Sequence, residues 1–150
     1  MSSRPAPRPR SHYACFTSLD TRWGDNDIYG HVNNVVYYSY FDTVVNRTLI
    51  NAGALDIHHG SVIGLVVETQ CQYFAPLAFP QRIEAGMLVA HQGRSSVRYE
   101  VGLFAEGSRE TAAAGHFTHV YVDRATRRPV ALPPTLIEAL QSLILPADPV

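Results

Sequence analysis

The sequence predicts an α+β domain in which one antiparallel sheet wraps a single buried helix. Three observations carry that expectation. One stretch, Asn33 to Asn51, has neither Gly nor Pro and is apolar round most of a helix circumference. Four strand-like segments follow it, joined by short turns. With 150 residues, 46% of them hydrophobic, the chain suits one domain with a sizeable core.

The elements are justified in order. Residues 1–11 carry Pro5, Pro7 and Pro9 and are expected as a flexible arm ahead of a single domain, residues 12–150; proline cannot donate to a sheet ladder. Tyr13 to Trp23 reads as a strand. Residues 24–31, rich in Gly, Asp and Asn, read as a loop. Asn33 suits a helix N-cap, and Gly53 a C-terminal stop. Val35, Tyr37, Tyr38, Tyr40, Phe41, Val44, Val45, Leu49 and Ile50 surround the helix, which is therefore expected to be buried nearly all round. Its length decides against a strand, since strands usually run about five or six residues.

The later strands are expected at 62–74, 81–91, 95–105 and 111–123. In the first of them, Ile63, Leu65, Val67, Thr69, Cys71 and Tyr73 alternate onto one face. Turns such as Gln92-Gly93-Arg94 imply antiparallel neighbours. A short helix from about Thr135 to Leu145 follows Pro133-Pro134. A single curved sheet round one helix leaves edges to cover, and pairing with a second copy is the economical solution.

Charge and composition exclude several functions. The formal net charge of -1 calls for no nucleic-acid partner. All 12 basic residues are Arg. With no Lys, the chain has no Schiff-base lysine, P-loop lysine or Ser-Lys dyad. Cys15 and Cys71 lack metal or disulfide-framework spacing and read as two buried thiols. No apolar run reaches the roughly 20 residues needed to span a bilayer. The first ten residues lack the apolar region of a secretory signal, so a cytoplasmic protein with no membrane partner is expected.

The stretch that carries chemistry is Arg22 to Asn34, R-W-G-D-N-D-I-Y-G-H-V-N-N. Asp25 and Asp27 flank an Asn in a Gly-bounded loop that leads into the buried helix. Free amides at a helix start carry partial positive charge and can hold a developing oxyanion. A carboxylate beside them can attack a carbonyl or activate water, which is acyl transfer without a Ser/His pair. Asp, Asn and Gly are also ordinary loop formers and caps, so on physics alone both readings stand.

The order D-x-D-x-x-G-H-V-N-N followed by an aromatic helix resembles the 4-hydroxybenzoyl-CoA thioesterase branch of the hotdog superfamily, over roughly residues 13–145. Tyr73-Phe74-Ala75-Pro76-Leu77, Val122-Asp123 and Leu132-Pro133-Pro134 resemble later landmarks of that family. The resemblance implies a five-stranded antiparallel sheet wrapped round a central helix, assembled as homodimers or homotetramers with active sites at subunit interfaces. It implies an acyl-CoA substrate, and neither metal nor organic cofactor. Asp27 matches the catalytic carboxylate, acting as nucleophile or as general base, and Asn34 the position whose backbone N–H polarises the thioester carbonyl. The His-Val-Asn-Asn run also occurs in hotdog thioesterases acting on acyl-carrier-protein esters, so the carrier is CoA or a carrier protein.

Other residues complete the expectation. His31 either orients Asp27, contacts the thioester or caps the loop. Asp25 reads as a loop-holding residue. Asp42 needs a partner if buried, with Arg47 or Arg22 available. Glu68, on a strand, is the rival carboxylate to Asp27. Arg94, Ser95 and Ser96 begin a strand after a Gly turn and suit the phosphates of CoA. His58-His59 and the pair His116 and His119 do not converge on a metal, since residues three apart on a strand point to opposite faces. Two other functions compete with hydrolysis. A hotdog dehydratase would need an acid on the helix, where only Asp42 is available. A non-catalytic acyl-thioester binder would lack the attacking group.

Overall fold

The structure, a computed structural model, describes residues 5–145. Residues 1–4 of the expected arm and residues 146–150 lie outside it. The elements are β1 (Cys15–Asp20), α1 (Val36–Asn51), β2 (Val62–Tyr73), β3 (Arg82–Gln92), β4 (Ser96–Ala105), β5 (Ala113–Asp123) and α2 (Pro134–Gln141). The five strands form one sheet in the order β1-β3-β4-β5-β2, with every neighbouring pair antiparallel. This is the hotdog arrangement, with α1 lying against the concave face.

Register explains the core. Ile83, Ala85, Met87, Val97, Tyr99, Val101, Leu103, Phe117 and Tyr121 all sit on the inner face and are buried. Against them α1 places Tyr37, Phe41, Val44, Val45 and Leu49, the spacing of one helical face. Burial of each large side chain contributes about 1.5–3 kcal/mol relative to exposure. Gly115 lets Phe41 approach, since a Cβ there would lie 2.9 Å from the Phe41 ring and overlap the Gln70 carbonyl.

The helix is less enclosed than its composition suggests. Asp42, Arg47, Ile50 and Asn51 are exposed, so α1 has one buried face. It also begins later than Asn33. The Asn33 side chain accepts from Val35 N–H at 3.0 Å, capping a preliminary turn before the helix proper. Among the described residues Asp42 takes no arginine partner. Its carboxylate accepts from the Asn46 amide at 2.8 Å, while Arg47 donates to the Ser18 carbonyl at 3.1 Å.

Alternation along β2 is broken as well. A bulge between Val66 and Glu68 shifts the register against β5. Gly64 and Val66 face inward before it, Thr69, Cys71 and Tyr73 after it, and Ile63 and Leu65 lie on the outer face. One extra residue reverses the side-chain phase of everything beyond it.

The outer face carries a second, smaller cluster of Tyr13, Leu88 and Phe104. Gly86 and Gly102 are register partners, and a Cβ on either would collide with Tyr13. The paired glycines make a trough that the Tyr13 ring fills. The segment before it is tied down too. Thr111 N–H donates to the Arg8 carbonyl at 3.0 Å, and Arg10 reaches Glu84 at 2.9 Å with its guanidinium over the Phe104 ring.

His119 and His116 lie on opposite faces of β5. His119 is buried on the inner face among Tyr99, Phe117 and Tyr121, with its Nδ1 3.4 Å from the Tyr121 hydroxyl. Burial pushes its pKa down to about 4. Because the native state resists the proton that the unfolded chain accepts near pH 6.5, stability falls as pH drops from about 6.5 to about 4. Denaturant unfolding should therefore show His119→Phe losing on the order of 2 kcal/mol less stability than wild type between about pH 7 and pH 4.5. Equal losses in the two proteins would contradict this assignment.

Candidate active site

The segment from Arg22 to Asn34 is pinned at almost every peptide. Trp23–Asp25 forms a single 3-10 turn. The Asp25 carboxylate is fully buried, accepting from Arg22 N–H at 2.8 Å, from the Arg22 guanidinium at 3.0 Å and from the Tyr40 hydroxyl at 2.7 Å. Burial would raise its pKa, but the Tyr40 and Arg22 hydrogen bonds prevail and hold it below the usual carboxylate range. Asp25 thus fastens the loop to α1, and its carbonyl accepts from Asn33 N–H at 2.8 Å.

A second set of bonds fastens the loop to the β2–β3 connection. Phe79 N–H donates to the Asn26 side chain at 3.0 Å, and Val32 N–H to the Leu77 carbonyl at 2.7 Å. Between these anchors the chain makes a tight turn, closed by Asp27 N–H to the His31 carbonyl at 2.8 Å. Gly30 takes φ 82° within it, a conformation that costs an L side chain about 1 kcal/mol or more.

The turn projects Asp27 into an open cavity of about 480 Å³ shared with Tyr29, His31, Asn34, Tyr37 and Tyr73. One Asp27 oxygen accepts from Tyr29 N–H at 2.8 Å, and the other makes no hydrogen bond among the described residues. The amides from Val32 to Val36 give a complete account. Val32 donates to Leu77, Asn33 to Asp25, Val35 to the Asn33 side chain and Val36 to the Asn33 carbonyl. Asn34 N–H alone among these five has no partner among the described residues.

This arrangement sets Asp27, with one oxygen uncommitted, and Asn34, whose N–H has no partner among the described residues, on one cavity. Residues 21–140 match the model of the thioesterase-like superfamily. The chain belongs to the thioesterase-like superfamily. Membership places it among thioester hydrolases. The chain is 57% identical to the PA5185 protein from Pseudomonas aeruginosa strain PAO1, over 95% of this chain and 100% of that one, with a TM-score of 0.92. The same fold occurs in a 1,4-dihydroxy-2-naphthoyl-CoA thioesterase from Synechocystis (16% identity, 87% and 98% coverage, TM-score 0.77). It occurs again in a DHNA-CoA thioesterase from Staphylococcus aureus (19% identity, 84% and 87% coverage, TM-score 0.76). A search of curated proteins gives no match.

In this thioesterase His31 shares the Asp27 cavity, whereas Arg94, Ser95, Ser96 and Glu68 lie apart from it. The His31 imidazole is exposed and makes no hydrogen bond among the described residues; its carbonyl, not its ring, closes the loop. Arg94 and Ser95 line a separate cavity of about 310 Å³ with Pro129, Val130 and Ala131. Ser96 pairs with Val120 at one end of the sheet, whereas Tyr73 pairs with Ala113 at the other. At about 3.3 Å per residue the two ends are roughly 20 Å apart. One protomer does not bring Arg94, Ser95 and Ser96 to Asp27.

Glu68 is also elsewhere. It lies on the outer sheet face, where His116 Nε2 approaches its carboxylate at 2.6 Å and Arg98 donates to His116 Nδ1 at 3.0 Å. The sequence marked Asn33 as a cap but did not mark Tyr40 or Tyr73 as site-building residues. Tyr73 was visible as the end of an alternating strand and in the Tyr-Phe-Ala-Pro-Leu landmark, and nothing local marked its hydroxyl for a role.

Proposed function

We propose that this protein hydrolyses acyl-CoA thioesters to free acid and CoA, with Asp27 as the reacting carboxylate. The observation that carries the reading is that Asp27, with one oxygen uncommitted, and Asn34, whose N–H has no partner among the described residues, line the same cavity. The amide would donate to the thioester oxygen as it gains charge. Two routes fit. Asp27 attacks the carbonyl carbon, expels CoA as thiolate and leaves a mixed anhydride that water opens. Alternatively Asp27 takes a proton from a water that attacks the same carbon. His31, at the cavity rim, would contact the thioester side. Fold neighbours named as CoA thioesterases favour CoA as the carrier.

Arg94, Ser95 and Ser96 are assigned to the CoA phosphates, through planar guanidinium and hydroxyl donors. Because they lie at the far end of the sheet from Asp27, this assignment needs a second copy of the chain, and a homodimer or homotetramer is part of the reading. The exposed Leu65, Val66 and Val67 on the edge strand β2 support it. No helix among the described residues is long and apolar enough to cross a membrane, and we infer a cytoplasmic enzyme.

The test is thiol release from a panel of short, branched, long-chain and aryl CoA esters. Turnover of at least one class is expected, and it names the acyl group. Binding of the esters without release from any of them would reject hydrolysis of CoA esters in favour of a binder. Release only from acyl-carrier-protein esters would move the carrier.

A further inference from the structure

We propose that the Asp27 cavity is the inner half of a longer acyl slot, that the N-terminal arm walls its outer half, and that the slot selects long-chain acyl groups; this rests on the reading of the protein as an acyl-CoA thioesterase. Tyr73 and Phe74 line the Asp27 cavity and also a second cavity of about 580 Å³, so the two adjoin at these residues. Pro5, Pro7 and Gln72 complete the second cavity. Its lining is therefore two prolyl rings, two aromatic rings and one amide, which suits a hydrocarbon and offers no charge. A third cavity shares Pro5, Gln72 and Phe74 but turns polar, with Arg98, Glu100 and His116 on its walls. The apolar path ends there.

The arm can serve as a wall because it is anchored directly behind the prolines. Arg8 N–H donates to the Thr111 hydroxyl at 2.9 Å, and Thr111 N–H returns to the Arg8 carbonyl at 3.0 Å. Pro9 bridges Glu110 in antiparallel register. Proline at positions 5, 7 and 9 fixes φ at each and biases each preceding residue to extended backbone, so the strap is stiff without ladder bonds. Pro5, Ala6 and Pro7 make no hydrogen bond among the described residues and give the cavity only their side chains. The opposite wall is fixed as well. Tyr73 donates to the Asn34 carbonyl at 2.8 Å, and its ring meets the buried Tyr37 edge to face with centroids 4.8 Å apart.

A short acyl group with its carbonyl at Asp27 stays within the inner 480 Å³ and does not touch the arm. A long chain has to pass Tyr73 and enter the outer half. Each methylene that leaves water there strengthens binding by up to about fourfold. The substrate and its transition state share that gain, so it appears in kcat/KM chiefly through KM.

The experiment follows straight-chain CoA esters from acetyl to palmitoyl on three proteins. They are wild type, a chain lacking residues 2–7, which keeps the Arg8–Thr111 pair, and Gln72→Trp, which fills the outer half from the β2 side. A second readout is affinity for S-alkyl-CoA thioethers of matching lengths, which cannot be hydrolysed. Wild-type kcat/KM and thioether affinity should both climb with chain length. Each variant should lower the dodecanoyl-to-acetyl ratio of kcat/KM by about tenfold or more. A flat profile in wild type would overturn the slot. A rising profile that either variant leaves intact would overturn it too, since the chain then runs elsewhere. Thioether affinity that climbs with length and falls in both variants, without turnover of any ester, would reject the thioesterase reading and support the slot.

Discussion

Asp27→Ala and Asp27→Asn should each lower kcat for thioester hydrolysis by at least about 10²-fold while leaving the protein folded. The two halves of that expectation have separate causes. Asp27 accepts a single backbone bond, from Tyr29 N–H in an exposed turn, and nothing in the core leans on it. Its loss should change stability by no more than about 1 kcal/mol. Either as nucleophile or as base, however, it supplies the electron pair, and neither Ala nor Asn carries a comparable one. Steady-state thiol release with a melting curve for each variant checks both halves. Near-wild-type turnover would exclude Asp27 and direct attention to Glu68, although Glu68 sits on the outer face against His116.

Asp25, two residues earlier, should behave oppositely. Asp25→Ala is expected to cost about 2 kcal/mol or more, because it strands the buried Tyr40 hydroxyl and removes the carboxylate on which the Arg22 donors meet. The loop also loses its fastening to α1, so residual folded protein should turn over poorly as well. Denaturant unfolding gives the first number and thiol release the second. A variant as stable as wild type would show that the hydrogen bonds to Tyr40 and Arg22 are dispensable. The contrast between two carboxylates in one short motif separates fastening from chemistry more cleanly than either substitution alone.

Much of the fold was legible in the sequence because its signals are long. Sixteen residues of helix and four strands of ten to twelve residues leave room for periodicity to accumulate. What the sequence concealed was local. The β2 bulge reverses an alternation that looks unbroken from Ile63 to Tyr73, and no residue there announces it. The bare side of α1 was hidden by aromatic content, since Tyr38 and Ile50 count as apolar wherever they point. In the candidate site, Asp27 and Asn34 were singled out through a motif, and both line one cavity. Tyr73 was not found, because its partner is a carbonyl 39 residues away in the chain. Arg94, Ser95 and Ser96 were grouped with Asp27 by resemblance, whereas one protomer's register sets them at opposite ends of the sheet.

The bulge in β2 also bears on how this protein resists clumping. Strand edges invite any extended peptide to extend the ladder, and this one is long and bears Leu65, Val66 and Val67. On either side of Val67 its backbone donors and acceptors are out of step. A straight foreign strand can follow one half of the edge and then loses its match, so it gains only a fraction of the available bonds. The edge works as a keyed rim, matched by a strand with a corresponding irregularity and a poor template for a straight one.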